Sequence, residues 1–390
     1  MAVKTNCEVN GKKYFRVSCS IGKDSNGKYI RKTFYGKSEK EAKKKMEEYL
    51  DGLKMGLSDN HRNAFLGSYM RIWLFEVVKV SSKIKPSTFE RYEGIYRNYI
   101  KNSPIAPLPI YNIKSLNIQR YYNDLKEEGK SVSQIFNLNK LLKSFFSYAV
   151  NEGYIIKNPC TGLVIPGKYE EPQKEVEVFS DKDLYAILNS PEDSTIKDLA
   201  LLCISTGMRR GEALGLNEND FDEDNKLIHI RRTISTITFI DKEDNRTIKT
   251  ISQIPKTKGS IRDIPYPTSL IPVIKHIKAK KSINKLKAGD SWNCSNDNYL
   301  FLTENGELIN DSNISRAWKR FLKRCGVEYI KFHALRHTYA TKQFEANIPL
   351  KTVSSLLGHS SIEVTSNIYT HVRKEQKEKS IDILNVIKMW

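Results

Sequence analysis

Short apolar stretches broken by turn-forming residues characterise the segment 1–60 of the chain. Asn10-Gly11 is a two-residue hairpin signal, and the polar segment 24–27 is a second turn that ends in glycine. Ser38, followed three residues later by Glu41, forms a capping box that predicts a helix to about Lys54. The strands predicted around these turns are 7–9, 14–20 and 28–35. The pattern therefore predicts a small unit of three antiparallel strands and one helix.

Between residues 61 and 157 the apolar positions follow helical spacing instead. Pro86 lies where one predicted helix begins, and Gly129 lies where another ends. The predicted helices span 65–80, 87–100, 118–125 and 132–150. The next segment, 158–178, contains three prolines, two glycines and no periodicity, which is typical of a linker.

From residue 179 onward the chain returns to helical spacing, with a β-rich interruption. Isoleucine and threonine are frequent in 227–239 and 246–254, on either side of the polar loop 241–245, which predicts one long hairpin. A further strand is predicted at 261–264, and later helices are predicted at 313–325, 334–345, 350–357 and about 363–369. The predicted fold class is therefore a multidomain, mainly α protein with small β elements.

Composition and charge narrow the classes of function. The 390 residues include 64 Lys and Arg against 45 Asp and Glu, a formal net charge of +19. A hydrophobic content of 39% excludes a fully disordered chain, and the charge favours a polyanionic partner such as nucleic acid. No run of 18 apolar residues could span a membrane, and the N-terminus lacks a secretion signal. The six scattered cysteines argue against zinc and disulfides and favour a reducing cytoplasm.

Two groups of basic residues are candidate DNA contacts. The segment 1–60 carries 14 Lys and Arg against 8 acids, and basic strands of this size suit the major groove. Arg16, Lys28 and Arg31 are the predicted contacts there, with a basic packing module as the alternative. Arg91 and Arg97 stand beside tyrosines in the helical segment and could contact phosphates. The ordinary interpretation of these two is a solvated or half-buried surface residue.

Two motifs of the second half of the chain present arginines. In Ser205–Glu212 a glycine turn after an apolar helix would present Arg209 at the start of the next helix. Its planar guanidinium matches phosphate oxygens, although an arginine near a glutamate at a helix end is often only a salt bridge. His333 and Arg336 lie one turn apart on one predicted helix face, where both could contact the same phosphate.

Two further motifs follow in the sequence. Gly358 suits the left-handed end of one helix and Ser360-x-x-Glu363 caps the next, so His359 lies in a tight corner. This histidine could face an anion or simply pack. Tyr369 follows ten residues later in Ile-Tyr-Thr-His. A tyrosine hydroxyl, with an ordinary pKa of about 10, is a poor nucleophile unless guanidinium groups and a phosphate electrophile assist it.

Together these motifs resemble the signature of the tyrosine recombinase (phage integrase) family, in the same order and over about 179–369. The matching segments are Arg209 in T-G-x-R-x-G-E, His333-x-x-Arg336, Leu357-Gly358-His359 and Tyr369 in I-Y-T-H. The family also uses a lysine on a β-hairpin turn. Lys256 is the match in Pro-Lys-Thr-Lys-Gly, and Lys258 is its rival.

The resemblance implies a site-specific DNA recombinase that integrates and excises a mobile genetic element. Tyr369 would attack a scissile phosphodiester and leave a 3′-phosphotyrosyl enzyme with a free 5′-hydroxyl. Arg209 and Arg336 would neutralise the transition state. The bond energy would be kept in the phosphotyrosine, so no cofactor is implied.

The remaining residues of the signature have supporting roles by the same resemblance. His333 and His359 would donate further hydrogen bonds, and Lys256 would be the general acid for the leaving 5′-oxygen. Glu212 would orient Arg209 rather than contact the phosphate. Charge stabilisation by Arg and Lys would remove the need for Mg²⁺, and the lack of an acidic cluster suited to metal ions in the sequence agrees with this expectation.

The family's domain organisation is matched along the chain. Residues 1–60 resemble its arm-type DNA-binding domain and 61–157 its helical core-binding domain, with a linker at 158–178 and the catalytic domain at 179–375. The long predicted hairpin resembles an insertion in integrases of conjugative transposons. The tail, 376–390, has apolar residues at helical spacing, and this stripe could pack on its own domain. The resemblance implies instead that the tail helix docks on a neighbouring protomer.

The partners implied are double-stranded DNA at attachment sites and three further copies of the chain in a homotetramer on DNA. An excisionase and a DNA-bending host protein are further candidate partners, and the location expected is the bacterial cytoplasm, at the nucleoid. Two alternatives remain open. A type IB-like topoisomerase would use similar chemistry without synapsis, and a catalytically silent architectural protein would keep only the DNA-binding scaffold.

Overall fold

A computed structural model describes residues 7–9, 12–23, 29–54, 64–168, 176–255, 258–359, 361–363 and 365–366. The chain divides into two compact units, Met1–Pro172 and Gln173–Trp390. The described residues are mostly helical with small antiparallel sheets, which confirms the predicted fold class. No helix in these ranges is both long enough and apolar enough to cross a membrane.

The elements of the first unit are numbered along the chain. Its strands are β1 (Cys7–Val9), β2 (Lys12–Lys23) and β3 (Tyr29–Gly36). Its helices are α1 (Glu39–Lys54), α2 (Leu66–Trp73), α3 (Pro86–Tyr99), α4 (Ser115–Glu127) and α5 (Val132–Asn151). The predicted strands and helices are all present, with bounds shifted by a few residues.

The second unit holds the remaining elements. Its helices are α6 (Asp181–Leu188), α7 (Thr195–Thr206), α8 (Arg210–Leu214), α9 (Ile271–Ala288), α10 (Asp311–Arg324), α11 (Ala334–Glu345) and α12 (Leu350–Leu357). Its strands are β4 (Phe221–Asp222), β5 (Leu227–Ile230), β6 (Thr233–Ile240), β7 (Arg246–Gln253) and β8 (Arg262–Pro265). The predicted helix at 363–369 lies mostly outside the described residues.

The N-terminal sheet has the order β1-β2-β3 and is antiparallel throughout. Phe15 and Phe34 are buried on the face that α1 covers. The Ser38 hydroxyl accepts from the Glu41 amide (3.2 Å), as a capping box predicts, but the Glu41 carboxylate accepts from the Lys37 amide (2.8 Å) instead of Ser38. The opposite face of the sheet is left largely exposed.

The helical segment of the first unit departs from regular geometry at one point. The helix predicted over 65–80 is α-helical only in α2 and continues as one π-helical turn, Leu74–Val78. The wider turn lets Leu74, Phe75 and Val78 all be buried against the core. Tyr96 of α3 fixes the start of α2, because its hydroxyl donates to the Gly67 carbonyl (3.0 Å).

The core of the second unit surrounds α7, which packs against α9, α10 and α11. The single long hairpin predicted over 227–254 is wrong in its first strand. β6 pairs with β7, but β5 pairs with β4 and β8 in a separate sheet. The break falls at Arg231 and Arg232, whose side chains bond to Asp263 and Asp220 and cannot continue an apolar strand face.

The sequence analysis also missed α9. This helix contains six lysines in 18 residues, and its buried side chains are only Ile274, Ile277 and Lys281. So few buried positions leave no clear apolar stripe for periodicity to detect. Lys281 is held inside by Glu218, whose carboxylate accepts from its ammonium at 2.7 Å.

Candidate active site

Arg209 is placed by the sharp turn between α7 and α8. Gly207 ends α7 in the left-handed conformation, with φ of 66°, and Arg209 occupies the N-cap of α8. A Cβ atom on Gly207 would lie 2.4 Å from the Tyr339 ring, so both the backbone angle and the available space require glycine. The predicted presentation of Arg209 at a helix start is therefore present.

Glu212 holds Arg209 in this position. Its carboxylate accepts from Arg209 Nη1 (2.7 Å) and from the Arg209 amide (2.9 Å). Glu212 is 2% exposed. Burial alone would raise the pKa of Glu212, but hydrogen bonds and charge from Arg262 and Arg209 outweigh it and keep that pKa below its ordinary value. An ionised Glu212 therefore contacts both the side chain and the amide of Arg209.

Arg336 is almost completely buried, with 2% of its surface exposed. It projects from α11 and donates to the Gly207 carbonyl (2.8 Å) and the Leu357 carbonyl (2.6 Å). Arg209 donates to the next carbonyl, that of Gly358 (3.2 Å). Burial and the charge of Arg209 lower the pKa of Arg336 to about 9, which still leaves the guanidinium charged at neutral pH. The two arginines therefore meet at the end of α12.

His359 follows directly after this end. Gly358 has a φ of 65°, and His359 Nδ1 forms a 2.7 Å hydrogen bond with the Thr365 hydroxyl. Burial, with the charges of Arg336 and Arg209, lowers the pKa of His359 to about 3. The ring is neutral at pH 7, and it can donate from Nε2 when Thr365 donates to Nδ1.

His333 lies at the start of α11, exposed at the rim of a cleft. Its ring stands perpendicular to that of His337, with centroids 4.8 Å apart. Desolvation by the surrounding protein, together with the neighbouring His337 and Arg336, lowers the pKa of His333 to about 4. His333 is therefore a second neutral imidazole beside the arginines.

The cleft beside Arg209 and His333 has a volume of about 560 Å³. Its lining includes three cationic residues, Arg209, Arg210 and Lys331. Arg210 is paired with Asp311 (2.8 Å). Among the described residues, Arg209 has no carboxylate of its own, because Glu212 also accepts hydrogen bonds from Arg262. The resulting excess of positive charge suits an anionic group such as a phosphodiester.

For four of the predicted lysine and tyrosine residues, the position of the side chain lies outside what the structure describes. Tyr369, Lys256 and Lys28 lie outside the described residues, and so does the side chain of Lys258. The described end of the lysine turn is close to the site, because the Gly259 carbonyl lies 2.7 Å from where a Cβ on Gly358 would be.

Arg262, at the start of β8, is a residue that the sequence analysis missed. Its guanidinium donates to both oxygens of Glu212 (3.2 and 2.9 Å), and its side chain is 7% exposed. One signal could have found it. In a strand, Arg262 shares a face with Ile264, which is fully buried. A charged side chain on a buried strand face requires an acidic partner, and this requirement is the signal.

The predicted DNA contacts that the structure describes belong to the first unit of the chain. Arg16 and Arg31 are exposed on one face of the N-terminal sheet, opposite α1, because the register pairs Arg16 with Tyr35 and Ser20 with Arg31. In α3, Arg91 lies over the Tyr92 ring (5.5 Å) and Arg97 is 3.6 Å from the buried carboxylate of Glu93. Both arginines of α3 are exposed.

One group among the described residues has the composition of a metal site, which the sequence analysis did not anticipate. Asp193, Asp198 and His276 bring ligand atoms within 4.8 Å of one another. The Lys280 ammonium already lies 2.6 Å from Asp193, and His276 Nε2 lies 3.0 Å from the same carboxylate. An ion-pair network accounts for this cluster.

Comparisons with known proteins identify relatives over most of the chain. The model of the phage integrase family matches residues 176–376, and that of the phage integrase N-terminal SAM-like domain matches 65–126. A protein described as "Tyrosine recombinase XerC-like" from Caldanaerobacter subterraneus subsp. tengcongensis is 52% identical over 99% of both chains. The transposase from transposon Tn916 of Enterococcus faecalis is 23% identical and covers 73% of this chain and 70% of its own.

Two solved structures share the fold. A Tn1549 transposon integrase fragment in complex with a circular intermediate DNA has a TM-score of 0.62 and 19% identity, and the match covers 81% of this chain and 99% of that one. A lambda integrase dimer bound to a COC′ core site has a TM-score of 0.55 and 17% identity, over 94% of this chain and 95% of that one. The family match over more than half of the chain and the 52% identical relative lead to one conclusion. The chain belongs to the phage integrase family, the tyrosine recombinases, which cleave and rejoin DNA in site-specific recombination.

Proposed function

We propose that this recombinase integrates and excises a mobile genetic element, using Tyr369 to form a 3′-phosphotyrosyl intermediate on double-stranded DNA. The observation that carries the proposal is the convergence of Arg209, Arg336 and the neutral His359 at the end of α12. Tyr369 follows only ten residues after His359, so a short segment of chain links the nucleophile to its phosphate-binding groups.

The chemistry follows from the charges. Arg209 and Arg336 would neutralise the phosphorane-like transition state, and their guanidinium groups are held by protein carbonyls before DNA arrives. His333 and His359, neutral at pH 7, would donate hydrogen bonds to the non-bridging oxygens. Lys256 would protonate the leaving 5′-oxygen as the P–O5′ bond breaks. Fixed cationic side chains would therefore supply the electrostatic stabilisation that metal ions provide in other phosphoryl-transfer enzymes.

The N-terminal sheet would bind DNA separately from the catalytic unit. Its face opposite α1 carries Arg16 and Arg31, with Ser18 and Thr33 between them and their hydroxyl oxygens 3.1 Å apart. Cationic and hydroxyl groups on a two-stranded surface suit phosphates and base edges in a major groove. Lys28, Arg91 and Arg97 are proposed as additional contacts.

Integration and excision of a mobile element are favoured by the similarity to the Tn916 transposase and to the Tn1549 and lambda integrases. The lambda integrase match covers 94% of this chain. The part of this chain that the match leaves uncovered is therefore shorter than the segment 1–54, which ends with α1. A phage integrase therefore has a counterpart for part of this N-terminal unit. The second candidate is recombination within a chromosome, which the description of the 52% identical relative as XerC-like favours.

A covalent capture assay tests the proposal. The full chain, with EDTA and no metal, is mixed with nicked duplexes tiled from the DNA that flanks its own gene. An SDS-resistant adduct is expected with the intact protein and with Tyr185→Phe, an exposed tyrosine of α6, and none with Tyr369→Phe. The Tyr369→Phe protein should still bind the same duplexes.

Four other outcomes would contradict the proposal. Binding without an adduct from the intact protein would favour an architectural protein. Relaxation of supercoiled DNA without joining of two sites would favour a topoisomerase. Adducts confined to a chromosomal site distant from the gene would favour the chromosomal role. An adduct that survives in Tyr369→Phe would refute the assignment of the nucleophile.

A further inference from the structure

We propose that Arg262 is a positioning residue of this active site, acting through Glu212 and through the end of α12. The proposal rests on the proposed function, since it assigns Arg262 a role in the same cleavage reaction. Arg262 is separate from the arginines that would face the phosphate, and it lies on β8, immediately after the turn that carries Lys256 and Lys258.

The contacts of Arg262 are all with the protein. Nε donates to the Leu356 carbonyl (2.7 Å), Nη1 to the Ser260 carbonyl (3.1 Å) and to Glu212 (3.2 Å), and Nη2 to Glu212 (2.9 Å). Each of its three nitrogens therefore already donates to the protein. These donors hold two backbone carbonyls and both oxygens of Glu212, which is the bonding that a positioning role requires.

These contacts join three segments, each of which carries a proposed catalytic residue. Glu212 holds the side chain and the amide of Arg209. Leu356 precedes by three residues His359, whose position depends on how α12 ends. Ser260 ends the short 3₁₀ turn Lys258–Ser260, which begins two residues after Lys256. A single guanidinium thus fixes the relative positions of these three segments.

Packing at Gly358 supports this role. A Cβ atom on Gly358 would lie 2.9 Å from Arg262 Cδ and 2.7 Å from the Gly259 carbonyl. The glycine therefore lets the end of α12 lie directly against Arg262 and the lysine turn. The close approach of three backbone segments around one side chain is the arrangement expected of a geometric anchor.

Charge gives Arg262 a second effect. Glu212 is buried, and burial by itself raises the pKa of its carboxyl group. Arg262 is the largest opposing influence on that pKa, ahead of Arg209. Without Arg262, Glu212 would be more easily protonated, and a protonated carboxyl group is a weaker acceptor for Arg209. Arg262 would therefore keep Arg209 in place partly by keeping Glu212 ionised.

Single-turnover adduct formation in four variants tests the proposal: Arg262→Gln, Arg262→Lys, Glu212→Gln and the Arg262→Gln/Glu212→Gln double variant. Arg231→Gln is the matched control, because Arg231 is an exposed arginine that bonds to Asp263 (2.9 Å) beside the same strand. We expect Arg262→Gln to slow adduct formation about 10–100-fold, as is typical when a residue that orients a directly contacting side chain is lost. DNA affinity should stay within about threefold of that of the intact protein.

Three further results separate positioning from simple stabilisation. Arg262→Lys should recover only part of the rate, because an ammonium lacks the planar pair of N–H donors that matches the two oxygens of Glu212. The double variant should be no slower than the slower single variant, because the two residues act through one contact. The rate of Arg262→Gln should rise with pH as Glu212 ionises, a rise that the intact protein and Arg231→Gln should lack.

Additive losses in the double variant, full recovery in Arg262→Lys, or a slow rate without pH dependence would each overturn the proposal. If the intact protein forms no adduct on any duplex, the proposed function fails, and the ring signals of isotope-labelled histidine then decide the matter for Arg262. The His359 resonance, assigned by its loss in His359→Gln, should move in Arg262→Gln and stay in place in Arg231→Gln. An unmoved resonance would refute the positioning role.

Discussion

Gly207 connects the stability of the catalytic unit to the geometry of its site, and Gly207→Ala tests that connection. The residue has a φ of 66°, and its carbonyl accepts a hydrogen bond from the buried Arg336. A methyl group there would approach the Tyr339 ring to 2.4 Å and Leu357 Cδ2 to 2.9 Å. Either the ring or the turn must move, and movement of the turn displaces the Arg336 acceptor.

The magnitude follows from two separate costs. The left-handed conformation costs a non-glycine residue about 1–2 kcal/mol. Forcing a methyl group into a packed core costs typically about 1–3 kcal/mol more. Gly207→Ala should therefore lower the free energy of unfolding of the catalytic unit by about 2–5 kcal/mol, a sum of the two ranges. For a unit of roughly 200 residues each kcal/mol corresponds to about 2–4 °C in Tm.

Gly326→Ala is the matched control within the same unit. Gly326 also has a positive φ, of 70°, but nothing lies within 4 Å of the position that its new methyl group would take, so it carries only the conformational cost. The assay is thermal unfolding of the full chain followed through the transition of the catalytic unit, together with adduct formation at a temperature where both variants are folded. A Tm loss in Gly207→Ala no larger than that in Gly326→Ala would refute the steric argument. Unchanged adduct formation would refute its link to Arg336.

Three other predictions concern parts of the proposed mechanism. One of the two variants Lys256→Ala and Lys258→Ala should lack the general acid and lose cleavage. That variant should regain cleavage on DNA in which sulfur replaces the leaving 5′-oxygen, because a thiolate needs no proton donor. Rescue of both variants or of neither would contradict a single general acid. Deletion of 379–390 should lower tetramer formation on DNA and adduct yield together, measured by sedimentation and by gel; unchanged assembly would argue against exchange in trans. His333 and His359 have their pKa values lowered from 6.5 to about 4 and about 3, so the unfolded chain binds protons more readily than the folded chain below pH 6.5. The free energy of unfolding should therefore be fully retained above pH 6.5 and fall as the pH is lowered toward 4. Urea midpoints measured over this pH range should fall less steeply for His359→Gln than for the intact protein. Equal slopes for the two proteins would mean that the His359 ring is not held neutral.

The local elements were largely predictable from the sequence, because their determinants are local. Strands β1 and β2 lie on either side of Asn10-Gly11, where the sequence predicts a turn, and α11 and α12 have the predicted bounds. Gly207 and Gly358 have the left-handed conformation that glycine at a helix end indicates. Where determinants were weak or distant, prediction failed. Helix α9 lacks a clear apolar stripe, and one of the two partners of β5 is β8, which lies beyond both β6 and β7 along the chain.

The candidate site was predictable as a list of residues but not as a set of contacts. The sequence indicated which side chains are candidates to bind a phosphate and roughly where each lies on its helix, because caps, turns and periodicity act over a few residues. Tyr369 and Lys256 stay predictions of this kind. Only the tertiary structure decided that Arg209 reaches the carbonyl of Gly358, 149 residues away, and that Arg262 shares Glu212 with it. The physical reason is that these contacts fill backbone acceptors and balance a buried charge across distant segments, and such pairings exist only once the core has brought the segments together.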